Sequence, residues 1–298
     1  MNQVAAIVVT YNRKDLLREC LQKLLGQVKA SCDIMLIDNA STDGTEGMIR
    51  EEFDRPEVIY TNTGANLGGA GGFEFGVKKA VEAGYKYVWI MDDDTLPEET
   101  ALYELLRAGK ALHDRWGYLS SVAYWTDGSY CQANVQKTNV LHRLKPDEYN
   151  HPVIRVLMAS FVSLLVKSEV IRELGCPIGD YFIWTDDYEF TGRIAKKYPG
   201  YVVTRSKVVH AMKVHTRVKL ATTPAERMDR FQYLFRNDVH CYRHHGLAGW
   251  AYVIGKDAYN CLDVLLHSDG DKLSKIRIVF KGFFEGLRYD PEIKMPES

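Results

Sequence analysis

Residues 4–9, VAAIVV, form an unbroken apolar and largely β-branched run. The polar TYNRKD that follows gives way after Asp15 to LLRECLQKLLGQ, where Leu16, Leu17, Leu21, Leu24 and Leu25 recur at helical spacing. The pattern predicts a strand, a loop and a helix, and it repeats. DIMLID (33–38) reads as a strand, NASTDGT (39–45) as a turn with helix-capping residues, and EGMIREEF (46–53) as a helix. VIYTNT (58–63) is a third strand, followed by a glycine-rich segment and the helix FEFGVKKAVEAG (73–84). A fourth strand, YKYVWIM (85–91), runs straight into three aspartates.

Strands alternating with amphipathic helices predict an α/β fold: a mainly parallel, Rossmann-like sheet with helices on both faces. In such sheets ligands collect where loops leave the carboxyl ends of the strands. Those loops are TYNR (10–13), DNASTDGT (38–45), NLGGAGG (66–72) and DDDT (92–95). Each alone is an ordinary turn; four along one edge point to a polar ligand. Beyond Pro97 a helix is expected over 99–112, then a strand-and-loop region to about 150, then a strand turning into a helix within 155–174. The chain is expected to divide into an α/β domain over 1–222 and a C-terminal helical region over 223–298, in which 230–246 leads into a helical pair.

Composition narrows the picture. An apolar fraction of 46% and a charged fraction of 26% are ordinary for a globular chain. Lys and Arg number 38 against 39 Asp and Glu, so nucleic acid is not an expected partner. Cys20, Cys32, Cys131, Cys176, Cys241 and Cys261 show no CxxC spacing, which predicts reduced thiols and a cytoplasmic setting. The N-terminus lacks a basic leader and reads as a first strand. The longest mainly apolar stretch, Val156 to Val166, falls well short of the ~20 residues that cross a bilayer.

Three constellations carry chemistry. Consecutive carboxylates after a buried strand repel one another unless something neutralises them, and Mn²⁺ or Mg²⁺ does so while sharing its remaining positions with phosphate. In an extended backbone Asp92 and Asp94 point one way and Asp93 the other; a solvated acidic turn or a helix cap is the competing account. In Trp184-Thr185-Asp186-Asp187-Tyr188-Glu189-Phe190, an acidic pair beside aromatics suits a base held next to a stacked sugar, and equally a plain helix start. His210, after Val208-Val209 and near His215, becomes a metal ligand only in company with the aspartates. The glycine-rich 66–72 segment could bring backbone N–H groups to a phosphate, but it is neither a Walker loop nor a GxGxxG after the first strand.

Taken in order, VVTYNR (8–13), IDNASTDGT (37–45), NLGGAGG (66–72), DDD (92–94), TDDYEF (185–190) with Arg193, and VVHAM (208–212) resemble the inverting glycosyltransferases of family 2, with the GT-A fold. The resemblance covers roughly residues 4–240 and looks most like the bacterial galactofuranosyltransferases that use UDP-galactofuranose. Rhamnosyltransferases using a dTDP-sugar are close rivals, and a non-catalytic sugar-binding protein on the same fold is the alternative of another class. The resemblance implies that Asp92, Asp94 and His210 bind Mn²⁺ or Mg²⁺ and that Asp187 is the general base. It places Asp186, Trp184 and Glu189 on the acceptor side. Thr10, Tyr11, Arg13, Asp38, Asn39, Asn66, Gly71, Asp92 and Asp93 fall on the nucleotide-sugar side. Thr185 departs from the family pattern, standing between Trp184 and the acidic pair. The implied acceptor is a glycan or lipid-linked glycan at the inner face of the cell membrane. KLSKIRIVFKGFFEGLRY (272–289) suits peripheral attachment to that face, or packing on its own domain or a second subunit.

Overall fold

A computed structural model describes residues 2–212 and 218–297; His215 lies outside the described residues. The first four strand–helix units are β1 (Val4–Thr10), α1 (Lys14–Leu25), β2 (Asp33–Asp38), α2 (Thr45–Glu52), β3 (Val58–Asn62), α3 (Gly68–Glu82), β4 (Tyr87–Asp92), the short β5 (Thr95–Pro97) and α4 (Ala101–Ala111). There follow β6 (Tyr118–Tyr124), β7 (Val153–Val156), β8 (Leu164–Lys167), α5 (Ser168–Leu174), α6 (Asp186–Ala195) and β9 (Gly200–His210). Three helices complete the chain: α7 (Arg230–Arg243), α8 (Gly246–His267) and α9 (Lys272–Arg288).

The strands form one sheet in the order β3-β2-β1-β4-β8-β6-β9-β5, with β7 also paired to β9. β3, β2, β1 and β4 are mutually parallel, as their alternation with helices predicts. β8 enters antiparallel between β4 and β6, so β6 and its parallel neighbour β9 run the same way as β4, while β5 and β7 oppose β9. Most strands therefore share one direction. The reversals all come after β4, in the short strands β5, β7 and β8.

Every residue of β1 is buried, and alternate side chains serve opposite layers. Val4, Ala6 and Val8 meet Leu17 and Leu21 of α1, Met48 and Ile49 of α2, and Leu102 and Leu105 of α4. Ala5, Ile7 and Val9 meet Phe73 and Val77 of α3, Val170 and Ile171 of α5, and Phe190 and Ile194 of α6. Sequence reasoning begins the third helix at Phe73; the helix begins at Gly68, so most of the glycine-rich segment is its first turns. A Cβ on Gly72 would meet Val9 at 2.5 Å, and one on Gly76 would meet Ile7 at 2.5 Å. These glycines let α3 lie close on the sheet.

The 223–298 region is helical as expected, yet it shares its cores with the sheet domain. Val239, Tyr242 and Val253 pack with Val140 and Met158, and Trp184 packs with Phe231, Phe235 and Val264. The final segment returns to α3, where Lys294 pairs with Glu74 at 2.6 Å and Lys78 with Glu297 at 3.4 Å. All six cysteines are free thiols, and all but Cys261 are buried.

Candidate active site at the carboxyl edge of the sheet

Because β1, β2, β3 and β4 are parallel, Thr10, Asp38, Asn62 and Asp92 end at one edge. β9 ends there too. Its pairing sets His210 opposite Thr95, and Ala211 N–H donates to the Asp94 carbonyl at 2.8 Å. The chain's first and last sheet ladders thus bring an imidazole to the acidic triplet.

Asp92, Asp94 and His210 each offer one ligand atom, and those atoms lie within 4.8 Å of one another. His210 Nε2 stands 2.9 Å from Asp94 Oδ1 and 3.8 Å from Asp92 Oδ2. Its other nitrogen, Nδ1, faces Asn134 Oδ1 at 2.8 Å, and that amide is oriented by Asn134 Nδ2 donating to Ser160 Oγ at 3.0 Å. With Nδ1 as the donor, a neutral ring would set a lone pair against carboxylate lone pairs. The arrangement requires positive charge at Nε2, as a proton or as a divalent cation. Two carboxylates and an imidazole with an outer hydrogen bond fit Mn²⁺, and Mg²⁺ through the carboxylates. With a proton there, burial opposes the charge, but the bond to Asp94 and the charges of both aspartates hold His210 up at about 10.

The strand ends at Asp92, and Asp93 and Asp94 form a turn rather than the extended backbone that alternation assumes; Asp93 faces the loop after β1. It accepts Thr10 Oγ1 at 2.7 Å and Arg13 Nη1 at 3.2 Å, and Arg13 Nη1 also reaches Asp94 Oδ2 at 2.9 Å. Burial raises Asp93 to about 7 against the pull of Arg13. For Asp94, burial is outweighed by the bond and charge of His210, and its pKa falls below the ordinary carboxylate range. The role of Asp93 in this fold is to tie the loop after β1 to the loop after β4.

The other residues expected on the nucleotide-sugar side divide into exposed and buried ones. Tyr11 is 45% exposed at the edge, and Asn66 is exposed, accepting Gly68 N–H at 2.9 Å. Asp38 is fully buried, accepting Ser41 N–H at 2.8 Å and Tyr60 Oη at 2.7 Å, and Asn39 donates to the Gly68 carbonyl at 2.9 Å. Gly71 is buried in the first turns of α3, where a Cβ would meet Leu67 Cβ at 2.8 Å.

Of the residues expected on the acceptor side, Asp186 and Asp187 open α6. Asp186 is buried and Asp187 half-buried, and each feels the charge of Asp92. Burial first and mutual repulsion next push Asp187 well above the ordinary carboxylate range; burial, with the charge of Asp92 adding to it, raises Asp186 to about 7. Glu189 departs from expectation. Its carboxylate forms a paired contact with Arg193 at 2.8 and 3.0 Å, and Arg193 in turn donates to the Cys176 carbonyl at 2.9 Å, which fixes α6 rather than leaving a free acceptor group. The Trp184 ring lies 5.2 Å from that of Phe231 in α7. Asn134, Asn237 and Asp238 escaped sequence reading. Asn134 sits in the irregular 113–150 stretch, and the α7 pair carries no motif that spacing would flag.

Residues 5–114 match the sequence model of Glycosyl transferase family 2. Over 201 residues the chain is 24% identical to galactofuranosyltransferase GlfT1 of Mycolicibacterium smegmatis, a match covering 65% of each chain. It is 38% identical to abequosyltransferase RfbV of Salmonella typhimurium over 103 residues, 33% of this chain and 30% of that one. The chain thus spans about two thirds of the length of the galactofuranosyltransferase relatives. Among solved structures, S. aureus TarS 1-349 superposes with a TM-score of 0.55 at 14% identity, covering 95% of this chain and 71% of that one. The same TarS fragment is known in complex with UDP, with a TM-score of 0.56 at 13% identity over 95% of this chain and 71% of that one. Residues 5–114 thus resemble glycosyl transferase family 2, and the sheet order with the TarS superposition gives the chain a GT-A fold.

Proposed function

We propose that the chain is a metal-dependent, inverting glycosyltransferase that moves galactofuranose from UDP-galactofuranose onto a hydroxyl of a glycan or lipid-linked glycan, in cell-surface polysaccharide synthesis. The observation that carries this reading is the convergence of Asp92, Asp94 and His210, near enough to Asp187 for the charge of Asp92 to act on it. The galactofuranosyltransferase relatives support the donor sugar, and the UDP complex of TarS supports the nucleotide.

Asp92, Asp94 and His210 would hold Mn²⁺ or Mg²⁺, which when bound supplies charge neutralisation for the diphosphate. Arg13 adds fixed positive charge at the same edge. Asp187 accepts the proton of the acceptor hydroxyl as its oxygen forms the new bond to the anomeric carbon. The bond to the diphosphate oxygen breaks on the opposite face, UDP leaves with the electron pair, and configuration inverts. A carboxylate raised by burial and by a like charge has the proton affinity a base needs.

The test is a survey of UDP-, dTDP- and other nucleotide-sugars with purified protein and Mn²⁺, reading nucleotide release. Preference for UDP-galactofuranose is expected; preference for a dTDP-sugar would replace it with a rhamnosyltransferase. Metal-independent UDP binding without turnover would favour a sugar-binding protein.

A second reading concerns where the protein works. Among the described residues no helix is long and apolar enough to cross a membrane. α8 and α9 nevertheless expose Leu262, Leu265, Leu266, Leu273, Phe280 and Phe284 beside Lys272, Arg277 and Lys281. Apolar side chains with basic flanks suit the inner, anionic leaflet of the cell membrane, where a lipid-linked acceptor would be met. A second copy of the chain is the competing occupant.

A further inference from the structure

We propose that Asn237 and Asp238, neighbours on α7, are positioning residues: they hold the Phe182–Thr185 loop in the backbone conformation that delivers Asp186 and Asp187 to the cleft. The inference rests on the reading of Asp187 as the base. Three non-glycine residues of this loop adopt left-handed backbone, Phe182 at φ 63°, Trp184 at 66° and Thr185 at 69°. L side chains resist that conformation, and it persists only where the surroundings impose it.

The imposing groups come mainly from α7. Asn237 Nδ2 faces three loop carbonyls, those of Tyr181 at 3.0 Å, Ile183 at 3.1 Å and Trp184 at 3.0 Å. Its Oδ1 is fixed in turn by Arg236, whose Nε and Nη2 both donate at 3.0 Å. Thr185 Oγ1 donates to Asp238 Oδ1 at 2.8 Å, and the other Asp238 oxygen pairs with Lys256 of α8. From the donor side, Ala70 N–H donates to the Phe182 carbonyl at 3.2 Å, and a Cβ on Gly68 would stand 2.2 Å from that carbonyl oxygen.

The loop is therefore clamped between the N-terminus of α3 and the middle of α7. Asn237 is 0% exposed and Asp238 2%, so neither touches substrate, and both act through the loop. Thr185 is the residue immediately before α6, and the next two are the acceptor-side carboxylates. Loss of the clamp would move them while leaving Asp92, Asp94 and His210 in place.

Three full-length variants test this. Asn237→Asp keeps the shape but turns a donor into an acceptor facing three carbonyls; Thr185→Val removes one hydroxyl; Thr185→Ser restores it. Hydrogen exchange over residues 183–188, UDP binding with Mn²⁺ by calorimetry, and UDP release from UDP-galactofuranose with an alkyl glycoside acceptor are read together. The expected result for Asn237→Asp and Thr185→Val is exchange faster by about tenfold or more, UDP affinity within about twofold, and kcat down by at least about tenfold at nearly unchanged donor KM. Thr185→Ser should match the parent on all three. Unchanged exchange in both disrupting variants overturns the clamp, as does a loss of UDP affinity parallel to the loss of kcat. If Asn237→Asp does not fold, the Thr185 pair decides. A parent protein that releases no UDP refutes the transferase reading, and exchange still decides the clamp.

Discussion

Asp187 and Asp94 make separable demands on one cleft. Asp187→Asn keeps the shape of the α6 N-terminus and removes the base, so transfer should fall by roughly 10²–10⁴-fold with UDP binding intact. Retained transfer would exclude Asp187 as the base. Asp94→Ala takes away a carboxylate bonded to both His210 and Arg13, and metal-dependent UDP binding should be lost; calorimetry with and without Mn²⁺ reads this directly. The pH profile separates the acidic pair. Burial and the charge of Asp186 raise Asp187, so the rising limb of kcat/KM should lie well above pH 4. Asp186→Asn removes a like charge, favours ionised Asp187, and should move that limb to lower pH. A limb that stays put would mean the two carboxylates are not coupled.

Among elements, α3 shows how far a motif can mislead. NLGGAGG is glycine-rich enough to suggest backbone N–H groups at a phosphate, yet its Gly72, like Gly76 one turn on, serves helix–sheet contact. Gly76→Ala should improve helix propensity by up to ~1 kcal/mol but overpack Ile7 and Ile37, with a net cost of about 1–3 kcal/mol read by denaturant unfolding. The four parallel strands and their loops were legible because β1, β2 and β4 are largely apolar, β3 is rich in β-formers, and the helices between them are periodic. The antiparallel insertion of β8 was not, since its apolar run suits either direction. The DDD and TDD clusters were legible as chemistry because carboxylates at strand and helix ends are costly without a task. Asn134 was illegible because a lone amide in irregular chain has no period. In α8, burial leaves both Asp257 oxygens without partners and raises its pKa to about 8. A proton bound more tightly in the folded state stabilises it at low pH, and that contribution is lost as pH rises from the unfolded value toward 8. Tm should therefore fall between pH 6 and 8 more steeply in the parent than in Asp257→Asn; parallel curves would refute the shift.

At the scale of the molecule, the C-terminal helices have two faces with different tasks. The inner face holds the acceptor loop through Asn237 and Asp238, and the outer face is apolar. Replacing Leu265, Leu266 and Phe284 by Glu should abolish flotation with vesicles containing phosphatidylglycerol while leaving soluble turnover unchanged. If flotation persists, another surface is responsible; a change of oligomeric state instead would assign the face to a second copy. The inward hold also orders events during synthesis. A nascent chain emerged as far as His210 already has every residue of the cation cluster, whereas the loop before Asp186 and Asp187 has only its α3 contact and lacks the α7 side of its clamp until α7 follows. On the proposed function, donor capture and transfer are acquired at different moments, and an immature chain that holds a reactive nucleotide-sugar lacks a fully ordered base with which to consume it.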